Sequence, residues 1–192
     1  MKIGILGGSF DPIHNGHIEM ADFCKNKFKL DKIMFLPLGD PPHKENITDK
    51  ELRIKMIEGA IDEKTSFLSR IEVDRTGKTY TYETIKWLKE NTQDEYFYII
   101  GGDTLNTLHK WFNVLELFKI LEFIVVDRLD FDRSQVKILK EMGAKLYFAE
   151  HLGLDVSSTN IRQKVKNGED ISNLVPKNVK EIIEQNGLYK NS

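Results

Sequence analysis

Short apolar runs alternate with stretches of helical periodicity along the whole chain. Ile3-Gly4-Ile5-Leu6 is the first run and has the length of a buried strand. Behind it Ile18, Ala21, Cys24 and Phe28 recur at helical spacing, so a helix is predicted from Asn15 or Gly16. Lys32 to Leu36 reads as a second strand closed by Pro37, and the prolines and glycine of Leu38–Lys44 exclude regular structure after it. Thr48 and Glu51 stand as a capping box for a helix with Leu52, Met56 and Ala60 on one face. Phe67 to Val73 is the third predicted strand, although its charges suit it poorly to a sheet centre. Tyr82, Ile85, Trp87 and Leu88 suit a helix ending near Asn91, and Trp87 is expected in the core.

Tyr96 to Ile100 is the clearest strand, turned by Gly101-Gly102-Asp103. Helical positions run through Leu105, Leu108, Trp111, Leu115 and Phe118, with a break around Phe112-Asn113. Phe123 to Val126 is a further buried strand. Asp132 and Gln135 form a second capping box before Val136, Leu139 and Met142, and Ala144 to Phe148 is the last strand. The tail is helical, with Pro176 suited to a first turn and Gly187 to a C-cap. This alternation predicts an α/β fold, a doubly wound parallel sheet with helices on both faces and a C-terminal helical tail. No repeat, low-complexity tract or linker divides it, so one domain over residues 1–192 is expected. In such sheets ligands bind beyond the carboxyl ends of the strands, at the topological switch point.

Composition narrows the function classes. A net charge of −2 offers no basic field for nucleic acid. One cysteine, Cys24, excludes an internal disulfide and a multi-cysteine zinc site, and its place on an apolar helix face makes it a small core residue. No apolar run approaches the roughly 20 residues that span a bilayer, and no signal-peptide pattern opens the chain. The expectation is a cytoplasmic protein without nucleic-acid or membrane partners, and a homo-oligomer stays open.

The chemistry concentrates just after strands. Gly7-Gly8-Ser9-Phe10-Asp11-Pro12-Ile13-His14-Asn15-Gly16-His17 joins the first strand to the first helix. A glycine-rich turn running into a helix start presents backbone N–H groups and a positive dipole end, which together make an anion site. His14 and His17, three apart, face the same side, and imidazole can donate to phosphate. Near the other end, Val156-Ser157-Ser158-Thr159-Asn160-Ile161-Arg162 sets hydroxyls and an arginine at a helix start. They could cap that helix or receive phosphate oxygens.

Two motifs identify a family. Gly8, Phe10, Pro12, His14, Gly16 and His17 meet the GxFxPxHxGH signature of the nucleotidyltransferase superfamily, and Val156–Arg162 resembles its ISSTxIR signature. Within that superfamily nearly the whole chain resembles the bacterial nicotinate-nucleotide adenylyltransferases. Pro41-Pro42-His43-Lys44 resembles their PPH(R/K) loop, Thr79–Thr84 their SYTxDT segment, and Ile100–Leu105 with Trp111 their IGxDxL…W pattern. Departures are Thr79 for serine, Glu83 for aspartate and Phe112 for the tyrosine usual after the tryptophan.

The resemblance implies a Rossmann-like fold and adenylyl transfer from ATP to nicotinate mononucleotide, with Mg²⁺ carried by the ATP. It implies catalytic roles for His14, His17 and Arg162. ATP binding would fall to Gly7, Gly8, Ser9, Phe10, Gly16, Gly101, Asp103, Ser157, Ser158, Thr159 and Ile161 together with those three. The mononucleotide would meet Lys44, Thr81, Trp111, Arg128 and Asp103. No metal-ligating residue is expected. Taken without the family, Trp111 could equally be core, Asp103 a helix N-cap, and His43 an exposed loop residue. His109 and His151 match no family position. Rivals are a phosphopantetheine adenylyltransferase, in which threonine is usual at the position of His14, a nicotinamide-preferring enzyme, and an inactive nucleotide-binding regulator.

Overall fold

The structure, a computed structural model, describes residues 1–39, 47–127, 133–150, 153 and 156–190. Six parallel strands form one sheet in the order β3-β2-β1-β4-β5-β6: β1 (Lys2–Gly8), β2 (Lys32–Pro37), β3 (Ser66–Leu68), β4 (Glu95–Gly101), β5 (Glu122–Asp127) and β6 (Lys145–Glu150). The order reverses between β1 and β4, so the switch point lies where Gly7-Gly8 and Gly101 leave the sheet side by side.

Strand alternation decides which side chains face which layer. Ile3, Ile5, Tyr98, Ile100, Phe123 and Val125 pack under α3 (Thr81–Asn91), α5 (Val114–Ile120) and α6 (Arg133–Glu141). Leu6, Ile33, Phe35, Ile99, Ile124 and Val126 face the other layer. That layer is built from α1 (Asn15–Lys27), α2 (Lys50–Glu58), α7 (Ser158–Lys166) and α8 (Lys177–Gln185). Between β4 and α5 the chain makes the single turn α4 (Gly102–Leu105) and a 3₁₀ turn (Leu108–Lys110), with the expected break at Asn113 in the left-handed region (φ 50°). The C-terminal helices therefore complete one of the two layers. No described helix is long and apolar enough to cross a membrane.

Four local expectations are corrected. The third strand is only Ser66–Leu68, because Arg70 turns onto Asp74 and Glu51 while Glu72 folds back, buried, to accept from the Thr84 hydroxyl at 2.9 Å. The cap of α2 is Asp49, which accepts from the N–H groups of Glu51 and Leu52; the Glu51 carboxylate is taken by Arg70 and does not reach back to Thr48. Trp87 is 48% exposed, since it lies about 200° round α3 from Ile85, while Thr84, Ile85 and Leu88 take the inner face. Pro176 precedes α8 as its N-cap instead of opening its first turn; Gly187, with φ 60° just past Asn186, closes the helix as expected. Asp132, of the second capping box, lies outside the described residues.

Candidate active site

At the carboxyl end of β1 the backbone runs close to its neighbours. A Cβ on Gly7 would collide with the Tyr98 hydroxyl, and one on Gly16 would stand 2.8 Å from Val156 Cγ1 and 3.2 Å from His14 Nδ1. Phe10 takes a left-handed backbone (φ 48°), held by a ring buried against Phe35 at 5.7 Å and edge-on to His17 at 5.1 Å. The Asp11–Pro12 bond is cis. His14, in extended conformation, is the N-cap of α1. Its backbone N–H donates to His17 Nδ1 at 3.2 Å, and the two imidazoles stack with centroids 3.7 Å apart.

That bond fixes the state of His17. A nitrogen that accepts carries no proton, so the neutral ring bears its hydrogen on Nε2, free to donate. Burial, with a smaller contribution from His14, holds His17 well below the ordinary histidine range, and burial alone lowers His14 to about 4. The pair therefore offers uncharged donors near neutral pH. Cys24 is buried, its thiol pushed up to about 12, and is no nucleophile.

The C-terminal motif meets this segment directly. Ser157 caps α7 by accepting the Asn160 N–H at 3.1 Å. Ser158 donates to the Pro12 carbonyl at 2.9 Å, and Arg162 donates to the Asp11 carbonyl at 2.8 Å and to the Thr159 hydroxyl at 3.2 Å. Ser157 and Thr159 are exposed. Ile161 is fully buried in the core, so its side chain packs and does not face solvent.

Beside the glycine turn lies a cavity of about 340 Å³. Gly7, Gly8 and His17 line one side, and Thr81, Tyr98, Gly101, Thr104 and Trp111 the other. Trp111 packs against the core, as the core reading of it expects. Its ring meets Tyr98 and Phe123 edge-on at 5.7 and 6.4 Å while also walling the cavity. Thr81 is the first residue of α3. Asp103 is exposed inside α4, whose N-cap is Gly101, so the capping alternative does not hold. Phe112 is 45% exposed and stacks on Tyr80 at 4.4 Å. His109 is half-buried in the 3₁₀ turn, away from the cavity lining. Lys44, Arg128, His43 and His151 lie outside the described residues.

Residues 5–164 match the profile of the Cytidylyltransferase-like family. A Clostridium tetani protein named "Probable nicotinate-nucleotide adenylyltransferase" is 41% identical over 198 aligned positions, covering 98% of this chain and 99% of the relative. The chain belongs to the nicotinate-nucleotide adenylyltransferase family. A Clostridium acetobutylicum member is 39% identical, with 98% of each chain covered. The fold is similar to that of Plasmodium falciparum nicotinic acid mononucleotide adenylyltransferase, solved with NaAD (TM-score 0.79, 22% identity, 100% of this chain and 98% of that one). The same enzyme solved with APC gives a TM-score of 0.78 at 22% identity.

In this member of the nicotinate-nucleotide adenylyltransferase family, four residues around the site carry no sequence signal of their own. Arg53, 1% exposed, donates to the carbonyls of Ser9 (2.9 Å), Leu38 (3.0 Å), Gly39 (3.3 Å) and Thr48 (3.0 Å). Asp11 accepts from the Tyr189 hydroxyl at 2.6 Å and from the Thr48 N–H at 3.2 Å. Tyr98, buried on β4, sets the space beside Gly7. The one clue to Asp11 is its place inside the first motif; a lone arginine on α2 and a tyrosine near the C-terminus resemble any others.

Proposed function

We propose that the chain transfers the adenylyl group of ATP to nicotinate mononucleotide, giving deamido-NAD and pyrophosphate, a step of NAD biosynthesis. The observation that carries this reading is the meeting of Gly7–His17 with Ser157–Arg162 at the carboxyl end of β1, next to a cavity walled by Thr81 and Trp111. Relatives of almost equal length that bear this activity in their names support it.

A mononucleotide phosphate oxygen attacks the α-phosphorus. That bond forms as the bond from the α-phosphorus to the α,β-bridging oxygen breaks, and pyrophosphate leaves. The attacking oxygen is already an anion, so neither a general base nor a protein nucleophile is required. What remains is in-line placement of two anions and neutralisation of growing charge. In this reading the Gly7, Gly8, Ser9 and Phe10 backbone, with Gly16 allowing the close packing, cradles the ATP phosphates. His17 donates through Nε2, His14 donates beside it, and Arg162 adds a permanent charge. Ser157, Ser158 and Thr159 supply hydroxyls, Ile161 holds their helix in the core, and Gly101 and Asp103 border the nucleoside side. Lys44 and Arg128 take the mononucleotide phosphate, and Thr81, Asp103 and Trp111 surround the pyridinium ring, for which an aromatic face is a favourable partner.

Among the described residues no group of three His, Cys, Asp or Glu side chains is placed to hold a metal ion. The donor set of imidazole, hydroxyl and N–H groups suits phosphate, so Mg²⁺ would enter on the phosphate oxygens with its own water. The reading places the enzyme in the cytoplasm, with ATP and nicotinate mononucleotide as its partners.

The test supplies ATP and Mg²⁺ with nicotinate mononucleotide, nicotinamide mononucleotide or phosphopantetheine in turn, and follows pyrophosphate release and dinucleotide formation. Turnover is expected with nicotinate mononucleotide above the other two. Silence with both pyridine mononucleotides would overturn the reading.

A further inference from the structure

The C-terminal tail returns to the glycine turn at two points. Before α8, the Leu174 and Asn173 carbonyls accept from the Asn15 backbone N–H (2.9 Å) and side chain (3.1 Å). After α8, Tyr189 points its hydroxyl at the Asp11 carboxylate, 2.6 Å away and buried. The tail thus grips both ends of the segment 11–15.

Tyr189 takes a left-handed backbone (φ 64°), a conformation costly for a tyrosine and kept only where the surroundings impose it. Burial and the facing Asp11 carboxylate raise its hydroxyl further above its ordinary range, so it stays a donor at every physiological pH. Asp11 is 5% exposed, and a buried carboxylate is tolerated only when its oxygens are met; Tyr189 meets one and the Thr48 N–H the other. The same residue's carbonyl receives Arg162, and the next carbonyl, of Pro12, receives Ser158. Fixing the Asp11 side chain therefore fixes the two carbonyls against which Arg162 and Ser158 are aimed.

We propose that Tyr189, acting through Asp11, is a positioning residue for ATP, so that the C-terminal tail sets the placement of Arg162 and Ser158. The inference rests on the adenylyl-transfer reading and adds a determinant that neither signature contains. The effect belongs to ATP: Thr81 and Trp111, which wall the cavity across the switch point, belong to α3 and to the segment after β4. Substitution of Tyr189 by phenylalanine removes one hydroxyl and leaves the ring in the core and the Thr48–Asp11 bond in place.

For Tyr189→Phe, ATP affinity by calorimetry and KM for ATP are expected to weaken about five- to tenfold, less than the loss of a charged hydrogen bond made to the ligand itself, because Tyr189 acts through Asp11. KM for nicotinate mononucleotide should stay within twofold. A structural role alone would lower the melting temperature without separating the two substrates. ATP affinity within twofold of the parent, or an equal rise in both KM values, would overturn the proposal. Should Tyr189→Phe fail to fold, Asp11→Asn keeps the shape but turns an NH₂ toward one of its two donors. The same ATP-selective loss is expected there, and unchanged ATP affinity again overturns the proposal. A parent protein that binds ATP but releases no pyrophosphate with nicotinate mononucleotide would refute the assigned second substrate and leave this comparison standing.

Discussion

With their imidazoles 3.7 Å apart, His14 and His17 would repel each other strongly if both were charged. The structure avoids that by keeping both neutral, His17 receiving a backbone N–H on one nitrogen and leaving the other to donate. A preorganised neutral donor of this kind costs no reorganisation when charge develops on a phosphate. Truncation of His17 to alanine is expected to lower kcat by about 10²–10³ with the far-ultraviolet circular dichroism unchanged, the usual loss for one such donor. A loss below tenfold would refute its role. His14 makes a second prediction, in stability. Its folded-state pKa of about 4 lies below the ordinary value of 6.5, so between the two the unfolded chain binds a proton that the folded chain refuses. Its contribution is intact above pH 6.5 and is lost as pH falls toward 4, by about 3 kcal/mol at roughly 1.4 kcal/mol per unit. His14→Asn keeps a good helix cap and removes the titration, so urea melts between pH 7 and 4.5 should show a flatter decline than in the parent.

Between elements, the turn after β1, the residues that follow β2 and the residue before the α2 cap are held by one side chain. Arg53 spreads its donors over four backbone carbonyls from three stretches of chain, at 2.9–3.3 Å. Arg53→Met keeps much of the volume but leaves buried carbonyls unmet, and removal of one member of a buried polar network costs about 3–5 kcal/mol. At roughly 2–4 °C per kcal/mol for a chain of this size, thermal denaturation should show a midpoint lower by roughly 10 °C. A fall of under about 3 °C would show that the carbonyls find other partners. This is also where reading from sequence stops. β1, β4 and β5 were legible because strands buried on both faces read as continuous apolar runs. β3, pairing through only three residues at the sheet edge, was not. Each signature holds a residue that backbone geometry requires: Gly16 has no room for a Cβ, and Ser157 caps α7. Arg53, Asp11 and Tyr189 act through partners 5 to 178 positions away, a relation that periodicity does not carry. Trp87 misled because it shares the apolar character of Ile85 and Leu88 without sharing their face of α3.

At the scale of the molecule, the parallel sheet needs a cover on both faces, and the last helix supplies part of one. Val175, Val179, Ile183 and Tyr189 are each at most 8% exposed and belong to the same apolar cluster as Ala21, Met56 and Ile161. The tail is thus continuous with the layer that carries α1 and α7, the two helices whose starts meet at the candidate ATP site. Burial of a large apolar side chain contributes about 1.5–3 kcal/mol, so these four supply roughly 6–12 kcal/mol. Whole domains are stable by only about 5–15 kcal/mol. Removal of residues 175–192 should therefore abolish cooperative thermal unfolding, and the truncated chain should bind hydrophobic dye at 25 °C. The alternative, a tail merely docked on a finished fold, predicts a sharp transition within a few degrees of the parent. Single substitutions separate the layer from the site. Val179→Ala should lower the melting temperature without a change in either KM, because its side chain fills the cluster and makes none of the hydrogen bonds around Asp11, whereas Tyr189→Phe should change the KM for ATP.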